Sequence, residues 1–496
     1  VALPPHSYNQ LMPKRARGIT PVTLSVRRRG SKPLDVQVAA GLRAAILSHK
    51  LRGGMRLPST RAMAEQLNVS RNTVVAAFEQ LVAEGYLESH VGDGTHVVER
   101  TIDAKPALQS AITKARLSKR GKIIASIPVQ LSPFHGPLLP FRACTPSVAD
   151  FPIALWGRLL AKRWRRASAG ALDYGEPQGA LELRNAIADY ARATRGVACE
   201  ADQVFIVSCT QQAMDLVARM LLDPGDAVWF EDPGYSGARS ALRAAGAQLV
   251  PVPVDDEGID VAEGKRRAPR ARLAYVTPSH QFPLGTTMSL QRRTELLAWA
   301  RRANAFVIED DYDSEFQYVH RPLPALQGMD ANGRVIYVGT FSKLMFPSLR
   351  VAYMILPREL VAPFRSARFI ADGYTAAVPQ LALADFIRDG HFERHVRRMR
   401  AIYHERRDVL LSALHKHLAG ALDVEPTNGG MHLTAWLAPR CDDAMLAKKA
   451  AKHGLDLLPL SAFALRRKRR GAILLGYAAF RPRELEDGVR RLKMVL

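Results

Sequence analysis

Apolar residues recur at helical spacing through QVAAGLRAAILSHK, where Val38, Leu42, Ala45 and Ile46 share one face. In RLPSTRAMAEQLNV, Pro58-Ser59 supplies a restricted start and a capping serine, and Met63 and Leu67 stand one turn apart. A third helix opens at Ser70 in SRNTVVAAFEQLVAEGYL and is expected to bury Val74, Phe78, Leu81 and Val82. Only a short turn separates the second and third helices, which is helix-turn-helix spacing. The pattern then switches to alternation in YLESHVGDGTHVVE about Gly92-Asp93-Gly94, a β-hairpin. Three helices and a hairpin predict a winged helix over residues 30–98. The polar start of its third helix, Ser70-Arg71-Asn72-Thr73, is the end that would enter a major groove. There, helix N–H groups meet phosphate and arginine reads guanine. A small helical protein-interaction module is the bland alternative.

Residues 99–138 lack sustained periodicity and read as a mostly extended linker with at most a short helix; TKARLSKRGK is basic and SPFHGPLLPF is punctuated by proline. From 139 to 496, short apolar strands alternate with helical stretches, the signature of an α/β fold. Five strands end in polar residues: QVFIVSCTQQ at Thr210, DAVWFEDPGY at Tyr235, RLAYVTPSHQF at His280-Gln281, NAFVIEDD at Asp310 and RVIYVGTFSK at Lys343. Open α/β sheets bind ligands off the carboxyl ends of their strands, so these five clusters are expected to converge. GGMHLTAWL and AILLGYA are expected as strands of a small C-terminal α+β subdomain.

At 496 residues the chain is too long for one ordinary core. A formal charge of +23 favours a polyanion partner, DNA or RNA first, against the plainer reading of a generally arginine-rich chain. Four cysteines, widely spaced and without a CxxC pair, argue against a disulfide framework or structural zinc and suit a reducing cytoplasm. No apolar run approaches the roughly 20 residues of a membrane span, and VALPPHSYNQLMPKRARG has no apolar core of a secretory signal.

One lysine among small hydroxyl residues at a strand end invites a specific chemistry. A lysine held near buried polar groups forms a Schiff base with an aldehyde, and a buried carboxylate such as Asp310 holds a pyridine nitrogen protonated. Thr210, Thr340 and Ser342 offer hydroxyls to a phosphate, Arg350 an anion fork, and the helix opening near Thr210 its N–H groups. Tyr235 can stack on a flat ring, and Tyr312 can hydrogen-bond a phenolic oxygen. Pyridoxal 5′-phosphate uses this set. The competing reading of EDDYD is a divalent-metal cluster, but alternate carboxylates on a strand end point apart.

Two resemblances sharpen these readings. Leu57-Pro58-Ser59, Arg61, LNVSRNTVVAAFEQLVAEGYL and the wing GDGT resemble the GntR family of bacterial regulators. The resemblance implies DNA contacts from Ser59, Arg61, Ser70, Arg71 and Thr73, with Gly94-Thr95 at the wing tip. GTFSKLMFPSLRVAY resembles the lysine region of fold-type I aminotransferases, and EDDYDSEF with TPSHQFPLG narrows this to the MocR/GabR group, which joins both domains. That implies Lys343 as the Schiff-base lysine, Asp310 as partner of the pyridine nitrogen and Tyr312 as a contact to the ring oxygen. It gives Thr210, Gln211, Thr340, Ser342 and Arg350 to the phosphate, Tyr235 to the ring face, and His280 and Gln281 to the place of an asparagine. Tyr174 would reach the site from the partner of a homodimer.

One position departs from the aminotransferase pattern: Leu474 stands where an arginine would bind a substrate α-carboxylate, and an unpaired substrate anion there costs about 2–5 kcal/mol. The expected function is a cytoplasmic transcriptional regulator whose operator binding responds to pyridoxal phosphate or to an amine effector. Vitamin B6 and amine or amino-acid metabolism are the processes in view. An active aminotransferase carrying a DNA-binding domain, and an inert dimerisation scaffold, are the alternatives.

Overall fold

The computed structural model describes residues 22, 24, 26–28, 32–99, 116–127, 136–319, 323–466 and 470–496. The N-terminal stretch read for a signal and most of the linker lie outside them. The chain divides into two compact units, residues 1–115 and 116–496.

The first unit is three helices, α1 (Leu34–Leu47), α2 (Thr60–Leu67) and α3 (Arg71–Ala83), followed by the hairpin β1 (Leu87–His90) and β2 (Gly94–Val97). Leu87 pairs with Val97 and His90 with Gly94, so the wing turns where the alternation broke. Val38, Leu42, Met63, Val74, Phe78, Leu81, Leu87 and Val97 close one core. Both predicted caps form: the Ser59 hydroxyl oxygen accepts from the Ala62 N–H at 3.2 Å, and that of Ser70 from the Thr73 N–H at 3.1 Å. Asn68 ends α2 in the left-handed conformation (φ 52°), which turns the chain into α3 within three residues. Val82 is exposed rather than buried, and Ala77 takes its place in the core. The buried stripe is centred on Val74, Ala77, Phe78 and Leu81, and Val82 lies a further 100° round the helix from Leu81. Losing the α3 cap in Ser70→Ala is expected to destabilise the first unit by about 1 kcal/mol. Chemical denaturation of the full-length chain, followed by a probe in the first unit, checks this.

In the second unit, β3 (Val204–Val207), β4 (Ala227–Asp232), β5 (Gln248–Asp255), β6 (Gly258–Ile259), β7 (Leu273–Val276), β8 (Phe306–Asp311), β9 (Val335–Thr340) and β10 (Ala352–Ile355) form one sheet. Their order is β3-β10-β9-β8-β7-β4-β5-β6. β4, β5, β7, β8 and β9 are mutually parallel, and β10 runs antiparallel between β9 and β3. The five strands that precede the polar clusters therefore all point the same way, and their carboxyl ends share one edge. Helices cover both faces, so these strands are apolar on both faces up to their carboxyl ends instead of alternating.

A second, antiparallel sheet is made of β11 (Leu422–Val424), β12 (His432–Leu437), β13 (Leu458–Pro459) and β14 (Ala472–Gly476), in the order β11-β12-β14-β13. With the helices His391–Leu418 and Pro482–Lys493, it forms the small α+β subdomain expected from the sequence. The described part of the linker contains one helix, Lys119–Ser126, capped by Ser118 and lying against the helix Ser236–Ala244.

Candidate functional site

Asp310 is the penultimate residue of β8 and is 5% exposed. The acidic string does not gather into one cluster, because successive side chains alternate. Glu309 accepts from the N–H groups of Leu326 (2.8 Å) and Gln327 (2.9 Å), and Asp311 pairs with Arg195 at 2.8 Å. Asp310, on the other face, accepts from the Tyr275 hydroxyl at 2.7 Å through Oδ2, while its buried Oδ1 has no partner among the described residues. Burial, and then repulsion from Asp311 and Asp313, push its carboxyl up to about 7 despite the opposing Tyr275 hydrogen bond and the Lys343 charge. A carboxyl held in this way binds its proton more readily folded than unfolded. In cofactor-free protein its contribution to stability therefore falls as pH rises from 3.8 to about 7. Asp310→Asn removes that slope. The cofactor-free variant is expected to match the wild type in acid and to melt progressively above it towards neutral pH; a gap constant with pH would contradict the assignment.

Lys343 follows β9 and is half-buried; its amine donates to the Cys144 carbonyl at 2.8 Å. Its charge also acts on Asp310, Asp313 and His432, which brings strand ends from β7 to β9 and the segment at 144 into one region. Tyr312 and His280 meet there: His280 Nδ1 lies 2.9 Å from the Tyr312 hydroxyl and 3.1 Å from Asp313 Oδ2. Gly430 (φ 89°) lets the small subdomain close on this histidine, since a Cβ there would lie 2.1 Å from His280 Cε1. Phe282 joins the two tyrosines edge-on, 6.0 Å from Tyr235 and 6.1 Å from Tyr312.

Gln281 serves the loop instead of facing the region. Its amide nitrogen donates to Glu231 Oε2 and the Pro233 carbonyl, both at 3.0 Å, and to the Phe282 carbonyl at 2.8 Å; its oxygen accepts from the Leu284 N–H at 3.1 Å.

Thr210 begins the helix Thr210–Leu221, which no side chain among the described residues caps; Gln211 donates to the Gly237 carbonyl at 3.0 Å, beside Tyr235. Thr340 is buried and its hydroxyl oxygen accepts from the Ser342 N–H at 3.2 Å. Arg350 is exposed in the left-handed conformation (φ 54°) after the turn Pro347–Leu349. Tyr174 is 85% exposed and meets Tyr374 edge-on.

Sequence reasoning missed Tyr275, Cys144, Asp313 and His432. Tyr275 had a signal: it pairs with Ile308 across β7 and β8, so it shares the face of Asp310 two residues on. Cys144 had none, lying some two hundred residues before the lysine it contacts.

On the first unit, Arg61 and Arg71 are exposed at the starts of α2 and α3. Thr73 and Ser70 share a hydroxyl contact of 2.8 Å, and Gly94 (φ 94°) and Thr95 form the rising arm of the wing.

A winged helix followed by a mostly parallel sheet with lysine, aspartate and tyrosines at one edge defines a DNA-binding protein built on an aminotransferase-type domain. Residues 34–97 match the model of bacterial regulatory proteins of the gntR family, and residues 156–492 that of aminotransferase class I and II. The chain is 40% identical over 95% of both lengths to the probable rhizopine catabolism regulatory protein MocR of Rhizobium meliloti. It is 32% identical to the pyridoxine biosynthesis transcriptional regulator PdxR of Corynebacterium glutamicum, over 89% of this chain and 91% of that one. Among solved structures it resembles the α-aminoadipate aminotransferase LysN of Thermus thermophilus, complexed with N-(5′-phosphopyridoxyl)-L-leucine. That match has a TM-score of 0.70 and 28% identity, over 76% of this chain and 96% of that one. The chain belongs to the gntR family of bacterial regulatory proteins, among the MocR-type members that carry an aminotransferase class I and II domain. It is a transcriptional regulator with a winged helix for DNA and an aminotransferase-type domain for pyridoxal 5′-phosphate. Among the described residues, no helix is long and apolar enough to cross a membrane.

Proposed function

We propose that this protein holds pyridoxal 5′-phosphate on Lys343 and binds its operator according to whether that site carries the cofactor alone or an amine effector. The observation that carries this reading is the buried, unpartnered Oδ1 of Asp310 at the sheet edge that Lys343 shares. A protonated pyridine nitrogen is the donor that this oxygen lacks. Bound there, the cofactor supplies an aldehyde for primary amines and a ring that accepts electron density. Tyr312 gives its hydroxyl to the ring oxygen, steadied by His280 and Asp313, and Tyr235 covers the ring face. The uncapped helix start at Thr210-Gln211, with Thr340, Ser342 and Arg350, receives the phosphate.

Ser59, Arg61, Ser70, Arg71, Thr73, Gly94 and Thr95 form the DNA face. A homodimer presents two such faces to two half-sites, with the exposed Tyr174 reaching the partner's cofactor. The domain limits are those read from the sequence, 30–98 for the winged helix and 139–496 for the effector domain, and the protein acts in the cytoplasm. Vitamin B6 or amine metabolism is the process controlled, and the pyridoxine biosynthesis regulator among the relatives supports the first of these.

Operator binding by the cofactor-loaded protein, measured as a function of salt, tests the DNA half. The logarithm of affinity is expected to fall linearly with the logarithm of salt, by about 0.9 per phosphate neutralised; a flat response contradicts it. The aminotransferase neighbours favour a second reading, an enzyme carrying a DNA-binding domain. Sustained conversion of an amino donor and a 2-oxo acid would establish that reading, and Leu474 weighs against it.

A further inference from the structure

Leu474 is fully buried on β14, between Thr434 of β12 and Leu458 of β13. Its face of the strand, shared with Ala472, closes on Ala143, Phe282, Leu460 and Phe463, and Cys144, Tyr235 and Tyr312 pack on the same cluster. The alternate residues Ile473 and Leu475 belong to a different core, so Leu474 is committed to the side of the site. Cys144 is the residue whose carbonyl holds the Lys343 amine, and Tyr235 and Tyr312 flank the proposed ring. The wall beside that amine is therefore built of carbon.

Buried acids share this region with the Lys343 amine. Glu231, Asp310 and Asp313 are buried there. Among the described guanidinium groups, Arg195 is committed to Asp311 at 2.8 Å and Arg239 to the Ala462 carbonyl at 3.1 Å. His432 supplies no cation. Burial first, then His280 and Lys343, push it down to about 3, and its Nε2 lies 3.1 Å from the Pro283 carbonyl. The cluster that packs on Leu474 is apolar, so a carboxylate set against it would lose its water close to three buried acids.

We propose that the effector is a primary amine with an apolar body and no carboxylate on the amine-bearing carbon, selected by the wall of Leu474, Phe282 and Phe463. The proposal rests on the reading of Lys343 as the lysine that holds the cofactor.

Cofactor-loaded full-length protein is titrated, by absorbance and by calorimetry, with matched pairs: 2-phenylethylamine against phenylalanine, and 3-methylbutylamine against leucine. Each amine is expected to bind at least about tenfold more tightly than its amino acid. Equal or tighter binding of the amino acids overturns the proposal, and so does a loaded protein that ignores both amines. Leu474→Arg is expected to move the preference towards the amino acids, and Leu474→Met, which conserves volume, to keep it; a Leu474→Met protein with reversed preference overturns the proposal. If the arginine variant does not fold, the wild-type pairs and the methionine variant still decide. Protein that shows no cofactor absorbance before any amine is added sinks the Lys343 reading itself, and this proposal with it. That outcome is distinct from a loaded protein with the wrong preference.

Discussion

Replacing Lys343 by alanine is expected to abolish covalent retention of pyridoxal 5′-phosphate completely. Lys343 is the amine at the shared edge of the parallel strands, and its charge acts on Asp310, the acid with the unpartnered buried oxygen. In the folded protein the amine gives a hydrogen bond to the Cys144 carbonyl, so truncation leaves one carbonyl short of a donor. That costs about 1–3 kcal/mol, too little to unfold a domain with this core. Loss of cofactor is therefore separable from loss of fold. After reduction with borohydride, wild-type protein is expected to carry the cofactor mass on the peptide containing residue 343, and Lys343→Ala to carry none on any peptide. A cofactor mass retained elsewhere in the variant would move the linkage to another lysine.

Arg71→Ala is expected to weaken specific DNA binding by about five- to 150-fold while leaving cofactor binding unchanged. That range corresponds to the roughly 1–3 kcal/mol of one bidentate arginine–base pair. Arg71 is the first residue of α3, and its guanidinium is exposed; among the described residues its side-chain contact is a long one of 3.5 Å to the Thr60 hydroxyl. Its loss should cost the fold little, and the cofactor residues belong to the other compact unit. Fluorescence anisotropy with operator and scrambled duplexes separates specific from general loss. Equal weakening on both duplexes would make Arg71 a phosphate contact, and loss of cofactor binding as well would make it a folding residue.

The winged helix was legible because each helix carries its own periodicity, and the second and third carry their own caps. Ser59 and Ser70 stand where a serine before an apolar repeat has one obvious use. Val82 was misplaced because an apolar residue at the edge of a helical stripe reads as buried until the partner face is known. In the second unit, Asp310 and Lys343 were legible because each ends an apolar run, and the rule that ligands sit off carboxyl ends needs no knowledge of strand order. The antiparallel insertion of β10 left no local trace. Tyr235 was read as the end of a strand, whereas β4 stops at Asp232 and Tyr235 precedes the next helix. Gln281 and Cys144 show the deeper limit. A glutamine in a polar loop reads as a ligand contact, and only the folded loop reveals that Glu231, Pro233 and Leu284 already occupy its amide. Cys144 meets Lys343 through its carbonyl, and a backbone acceptor has no sequence signature.

The central claim is that one lysine-bound cofactor site governs DNA binding. Absorbance and operator affinity measured in the same cofactor-loaded sample, as 2-phenylethylamine is added, test it most directly. The account predicts that the spectrum and the affinity change together over the same concentration range, and that neither responds in Lys343→Ala. A spectrum that shifts fully while operator affinity stays constant would contradict it and leave the domain as an enzyme or an inert scaffold beside an independent DNA-binding unit.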